Sequence, residues 1–314
     1  MATRTSPADE TETGTGTVRS GADWQAGEHV RRWPGRLFAA LTAGATALGL
    51  ALLGVLLLLV TLDAFAVFRP EPAWLDFGFL TSAPSRFPDR AGIYPALLGS
   101  IYMALLLSVL TFPIGVGAAI YLEEYARESR LTRLIQLNIA NLAGVPSVVY
   151  GILGLALFVR TLSLPNGSLL VGAATVGLLV LPIVVISAQE AIRAVPDSLR
   201  QASYGMGATR WQTVRRVVLP QAFPGILTGT ILALGRAIGE TAPLIMIGAP
   251  ATLFLAPSGV LEKFSAMPRQ IFAWSDAPQP EFQYGVVAAG VVVLVSVLLV
   301  MNATAIYLRY RTQR

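Results

Sequence analysis

The amino-acid sequence predicts an all-α integral membrane protein with six transmembrane helices, and three observations carry that reading. Apolar residues make up 54% of the 314 and charged residues only 13%, with a mean hydropathy of +0.63; that balance suits lipid as the solvent and excludes a soluble globule. Six stretches free of charge, or nearly so, can each supply the roughly 20 apolar residues that a bilayer-spanning helix needs. The basic residues are also unevenly shared between alternate loops, as membrane topology requires.

In order, the stretches are Leu37 to Leu62, Ala91 to Leu122, Leu134 to Val159, Thr161 to Gln189, Val217 to Gly235 continuing past a charged pair, and Phe282 to Leu308. The first thirty residues are rich in Thr, Gly, Ser and Ala and carry Asp9, Glu10 and Glu12, too polar to bury a core. A secretory signal does not fit, because the first apolar run starts late and is longer than a signal's apolar region, so it stays as an anchor. Sixteen basic residues lie in the N-terminal tail, the second and fourth loops and the C-terminus, against six in the other three loops. Both termini are therefore expected in the cytoplasm. The division that follows is a disordered cytoplasmic tail over 1–35, a first transmembrane helix over 36–63, an external loop over 64–94, a five-helix core over 95–309 containing a cytoplasmic loop at 196–220, and a cytoplasmic C-terminus over 310–314. The outer segments Asp63 to Tyr94 and Gly248 to Glu281 are long and Pro-rich, and either can fold over the outer mouth.

Several chemistries are excluded. Cysteine is absent and His29 is the one histidine, which removes disulfides, thiolate and imidazole metal sites and cysteine nucleophiles. The one lysine, Lys263, stands between Glu262 and Phe264, so no Walker loop exists and the chain is not itself a P-loop ATPase. The formal charge of +5 is scattered between apolar runs, a topology signal and not a nucleic-acid face.

Two places carry candidate function. The first is the loop from Pro196 to Pro220, which reads as two short helices meeting at glycines. Ser198 with Gln201 and Thr209 with Gln212 have capping-box spacing, and Gly205 and Gly207 interrupt the run between them. The join is lined by Ala202, Ser203, Gly205, Gly207 and Ala208, small enough for another protein's backbone to come close. The residues equally fit an amphipathic helix on the membrane surface, with Leu199, Trp211, Val214 and Val218 towards lipid.

The second place is the fifth span, where Arg236 and Glu240 are the charged residues well inside an apolar stretch, a functional-site hypothesis by default. Their spacing of four sets them on one helical face. With a helix starting between Pro220 and Pro224, a rise of about 1.5 Å per residue puts Arg236 roughly 18 to 24 Å along it. Arg236 either offers its planar fork to an oxyanion in a pathway, with Glu240 and Thr241 beside it, or forms a structural ion pair with Glu240. The same helix carries Gly225 with Gly229 and Gly235 with Gly239, spacings that permit close helix packing. Pro243 follows as a break. In the third span Pro146, Ser147, Tyr150 and Gly151 predict a bent helix.

The run QASYGMGATRWQTVRRVVLP, from Gln201 to Pro220, resembles the EAA signature of ABC-importer permeases, in which Glu-Ala-Ala precedes a glycine and, nine residues on, an Ile-x-Leu-Pro ending. Gln201, Ala202 and Ser203 stand at the EAA positions, Gly207 at the glycine, and Val217, Leu219 and Pro220 at the ending. NLAGVPSVVYGILGL from Asn141 and LALGRAIGETAPLI from Leu232 narrow the resemblance to the A-type permease of the phosphate importer, the PstA family. It covers roughly Gly99 to Leu308. The chain departs from the pattern at Gln201 and Ser203, and at Ser187, Ala188, Gln189 and Glu190, where the family often has a basic residue ahead of an acidic pair.

The resemblance implies the binding-protein-dependent importer permease fold, a MetI-like core plus an N-terminal helix, in a prokaryotic cell membrane. It implies that Gln201, Ala202, Ser203, Gly205, Gly207, Ala208, Leu219 and Pro220 dock on an ATPase subunit, and it favours the pathway reading of Arg236 and Glu240. The implied partners are a C-type permease subunit in a heterodimer, two copies of an ATP-binding subunit and an extracytoplasmic phosphate-binding protein. No cofactor is expected on this chain, ATP and Mg being used by the partner ATPase. A permease for molybdate or sulfate, a secondary anion transporter or channel, and a membrane scaffold are the competing expectations.

Overall fold

A computed structural model describes residues 32–66 and 74–312. The expected tail therefore falls almost wholly outside the described residues, as do Arg69 in the first outer segment and Arg314. Twelve α-helices are described, and no strand among these residues beyond an isolated antiparallel bridge between Ser168 and Lys263. Two compact units are distinguished, one ending at Val55 and one from Leu56 onwards. The described residues of the first unit belong to helix α1 (Arg32–Ala64), whose apolar side chains from Leu37 to Leu59 are all exposed.

In the second unit α2 (Phe77–Thr81) is N-capped by Asp76, whose carboxylate accepts from the Phe79 N–H at 2.6 Å. Helix α3 (Tyr94–Ile120) continues through a π-helical turn, Tyr121–Tyr125. Then come α4 (Arg130–Ala143), α5 (Ser147–Gly154) with a π-helical end to Thr161, and α6 (Leu169–Arg193). Two short helices, α7 (Asp197–Gly205) and α8 (Arg210–Thr213), lead through a π-helical stretch, Val214–Val218, into α9 (Leu219–Gly239). The chain closes with α10 (Ala242–Met246), α11 (Met267–Ser275) and α12 (Val287–Thr312).

Among the described residues five rods are long and apolar enough to cross a membrane: Leu37–Ala64, Tyr94–Tyr125, Leu169–Arg193, Arg210–Gly239 and Phe282–Tyr307. The expected third span departs from a single bent helix. It is two helices, Arg130–Ala143 and Ser147–Thr161, meeting at 105°. Pro146 enforces the break, because it has no N–H to continue the ladder and disfavours helical backbone at Val145. The Tyr150 hydroxyl spans the corner and donates to the Leu142 carbonyl at 2.8 Å. The fourth span also starts later than Thr161. Residues 162–168 turn through Pro165, Asn166 and Gly167, and Ser168 caps α6 by accepting from the Val171 N–H.

Helix α6 is the central rod, buried between α3 and α9. Its middle packs Val176 and Val180 with Met103, Leu107 and Leu244, and its end packs Val185 and Ile192 with Leu122, Val218 and Ile226. The segment after α10 lies across the start of α6: Leu169 and Leu170 N–H groups donate to the Glu262 and Val260 carbonyls at 2.9 and 2.8 Å. These bonds satisfy donors that a helix start leaves unpaired. Phe264, fully buried beside Gly172, pins the segment with about 2 to 3 kcal/mol of apolar burial. In the same segment the Glu262 carboxylate accepts from the Ser258 N–H and hydroxyl at 2.9 and 2.7 Å, bonds that hold its pKa below the ordinary carboxylate value.

Candidate functional site

Arg236 stands in the last turn of α9, about 26 Å from Leu219 at 1.5 Å per residue, slightly farther than the sequence arithmetic placed it. Glu240 is not inside the helix as expected. It is the C-cap, its backbone leaving the helix at φ −77° and ψ 126°. The spacing still brings the side chains together, with Arg236 Nε 3.5 Å from Glu240 Oε1. That is long for a hydrogen bond, and Arg236 makes none among the described residues. Its side chain is 52% exposed and that of Glu240 17%. Thr241, half-buried, opens α10 directly after the pair.

The exposed face of α9 runs from Gln221 through Gly225 and Leu232 to Arg236 and Gly239. The two glycine pairs differ along it. A Cβ at Gly225 or Gly229 would run into Ala191 or Ser187 of α6, so the first pair seats α9 on the central rod. Gly239 has nothing near it and Gly235 has only Asn302 of α12 in ordinary contact, so the end carrying Arg236 is open. An apolar cleft of about 850 Å³ lies on another face of α9, lined by Leu234 and Ile238 with parts of α3 and α12. Its one charged lining residue is Asp76, which suits no anion.

The α7–α8 segment is a hairpin of short helices. Gly207 makes the turn with φ +81°, a conformation costly for any residue with a Cβ. Thr209 and Gln212 form the expected capping box, with the Thr209 N–H donating to Gln212 Oε1 at 2.9 Å. Ser198 and Gln201 do not. Helix α7 starts from Pro196, which offers no side-chain cap, and Ser198 already lies inside the helix. Gln201, Ala202, Gly205 and Gly207 are exposed and Ala208 half-exposed, with open space over both glycines. Ser203 instead turns inward to Thr213, oxygen to oxygen at 2.8 Å. Leu219 is half-buried and Pro220 exposed at the start of α9. Of the four residues that the membrane-surface reading sends to lipid, Val214 and Val218 are fully buried whereas Leu199 and Trp211 are exposed, and Met206 at the tip is 89% exposed.

Residues 111–312 match the family model described as the binding-protein-dependent transport system inner membrane component. The chain belongs to that family. This permease is 39% identical over 183 residues to the phosphate transport system permease protein PstA 1 of Mycobacterium tuberculosis, a match spanning 58% of each chain. It is 30% identical over 251 residues to the PstA protein of Xylella fastidiosa, across 80% of this chain and 81% of that one. These relatives place the permease in the PstA branch. Its fold is that of a solved bacterial ABC transporter involved in the import of the acidic polysaccharide alginate, with a TM-score of 0.64 at 16% identity over 90% of this chain and 97% of that one.

One cluster of the permease escaped the sequence reading. Glu123 and Glu124, on the π-helical turn after α3, accept from Arg193 at the end of α6 and from Arg200 on α7. Gln189 adds a bond to Glu123 at 3.1 Å. Two adjacent acids closing an apolar run were the signal for it. Two of the residues at which the family pattern is broken have local partners here: Ser187 donates to the Ile183 carbonyl at 2.7 Å, and Gln189 holds Glu123.

Proposed function

We propose that this permease is the membrane-spanning subunit of an ATP-driven importer of inorganic phosphate in a prokaryotic cell membrane. It supplies half of the translocation pathway beside a C-type permease subunit, docks through α7 and α8 on an ATP-binding subunit present in two copies in the complex, and receives phosphate from an extracytoplasmic binding protein. Both termini and the α7–α8 hairpin face the cytoplasm. ATP and Mg belong to the partner ATPase, and this chain performs no hydrolysis itself. The phosphate transport names of its relatives support the substrate class.

The observation that carries the reading is the open fork of Arg236, half-exposed and without a hydrogen bond among the described residues, beside a carboxylate. A guanidinium in that state binds a tetrahedral oxyanion through paired charge-assisted bonds. Glu240 supplies discrimination, because hydrogen phosphate has a hydroxyl to donate to a carboxylate and sulfate has none. Thr241 adds a hydroxyl at the same break. A docking ATPase fits over Gly205 and Gly207, where the backbone is bare.

The test is uptake of labelled phosphate by vesicles holding the assembled transporter, with sulfate and molybdate as competitors. Exchanging the pair as Arg236→Glu with Glu240→Arg preserves net charge but moves the guanidinium by one turn, about 6 Å along the chain axis. The expected result is an assembled complex that binds nucleotide and imports almost no phosphate. Near-normal uptake in the exchanged protein would reduce Arg236 and Glu240 to a structural pair, and stronger competition by molybdate than by phosphate would change the substrate.

A further inference from the structure

Arg200 uses every N–H it has. Nε and one Nη2 hydrogen reach Glu124 Oε1 at 3.2 and 3.0 Å, the other Nη2 hydrogen reaches the Ile192 carbonyl at 2.9 Å, and Nη1 reaches the Val195 carbonyl and Asp197 Oδ1 at 2.6 and 3.1 Å. Arg200 sits on α7, Ile192 and Val195 belong to the end of α6 and the turn after it, and Glu124 belongs to the π-helical turn that ends α3. One side chain thus ties three elements together, at 15% exposure for Arg200 and 5% for Glu124. The surface of α7 that carries Gln201, Ala202 and Gly205 remains free.

From this geometry we infer that Arg200 and Glu124 are the positioning residues through which movement of α7 is passed to the ends of α3 and α6. The inference rests on the proposed docking of an ATPase on α7. A push on α7 meets a planar fork bonded on one side to a buried carboxylate and on the other to two backbone carbonyls, so the helix cannot tilt alone. The turn that receives the motion is π-helical, a form frequent at functional sites within helices. Neighbouring Glu123 anchors the same turn to α6 through Gln189 and Arg193. The two contact sets divide the work, because docking uses the exposed face of α7 and transmission uses the buried one.

The experiment compares the wild-type complex with Glu124→Gln and Arg200→Lys, measuring co-purified ATPase, ATP hydrolysis, and phosphate imported per ATP in the same vesicles. Glu124→Gln removes the charge and leaves the fork's bonds to the two carbonyls, whereas Arg200→Lys keeps the charge and loses the fork. Both are expected to retain the ATPase and to hydrolyse ATP, with phosphate moved per ATP falling by about tenfold, the effect of about 1.4 kcal/mol on the coupled step. A merely structural contact would lower the amount of complex and leave that ratio unchanged. An unchanged ratio in assembled variants overturns the inference, and so does loss of the ATPase from both, since the pair would then only build the docking surface. Failure of the wild-type complex to import phosphate is a separate outcome that refutes the proposed function and is visible before any variant is compared.

Discussion

Two arginines of this permease each face a carboxylate, and their circumstances differ throughout. Arg200 is mostly buried, has all five donors bonded and shares three of its acceptors with the ends of α6 and α3. Arg236 is half-exposed, lies 3.5 Å from Glu240 and leaves its fork unbonded among the described residues. Saturation makes the first a joint between helices and not a ligand site, because any new ligand would have to displace a bond already made. The unfilled fork of the second must be satisfied by water, a partner or a passing anion, since guanidinium donors left unbonded in low dielectric are costly. The number of free donors, and not the presence of an ion pair, separates a site from a brace.

The sharpest way to break that comparison is to remove both arginines in turn. Arg200→Met strands Glu124, which is 5% exposed, and breaking a buried pair this way costs about 3 to 5 kcal/mol. The expectation is a large loss of folded protein, read as the yield of monodisperse permease and its unfolding midpoint in detergent. Arg236→Met should leave those readings near wild type and abolish phosphate uptake. If both variants unfold the protein alike, the distinction between brace and site fails.

A smaller change sharpens the site itself. Arg236→Lys keeps the charge and discards the bidentate fork, which is expected to remove about 1.5 to 2 kcal/mol of oxyanion binding, a loss of roughly ten- to thirtyfold in uptake at low phosphate. Uptake indistinguishable from wild type would mean that Arg236 acts only as a distant charge.

The candidate site was more legible in the sequence than the brace, for a physical reason. Arg236 and Glu240 are four residues apart inside an apolar run, so helix geometry alone joins them. The departure of Glu240 from the helix was not legible, because an apolar count cannot see where the backbone leaves the helical region. Arg200 lies 76 positions from Glu124, and only the packing of α3 along α6 brings them together. The apolar rods were readable for the same local reasons, apart from two corners. Pro146 announced a bend, yet its angle of 105° depends on how α5 seats against α6 and α10, with Gly151 set against Pro243 and Met246. Thr161 to Ser168 looked apolar enough to be helix, and its turn is held by bonds from Leu169 and Phe264 to distant partners.

The smallest effect lies inside the brace. Arg193 meets both oxygens of Glu123, one of them at 3.4 Å, but Arg193 is 66% exposed where Arg200 is 15% exposed. Water and salt screen such a pair, whose worth is typically 0.2 to 1 kcal/mol. Glu123 also keeps the Gln189 bond when Arg193 is gone. Arg193→Gln is therefore expected to lower stability by no more than about 0.5 kcal/mol in dilute buffer and by less in molar salt, while the Arg200→Met loss persists at both. Unfolding midpoints at the two ionic strengths decide this. A salt-independent loss of several kcal/mol from Arg193→Gln would mean that the two glutamates and two arginines act as one coupled unit, and Arg200 could not then be treated as the joint by itself.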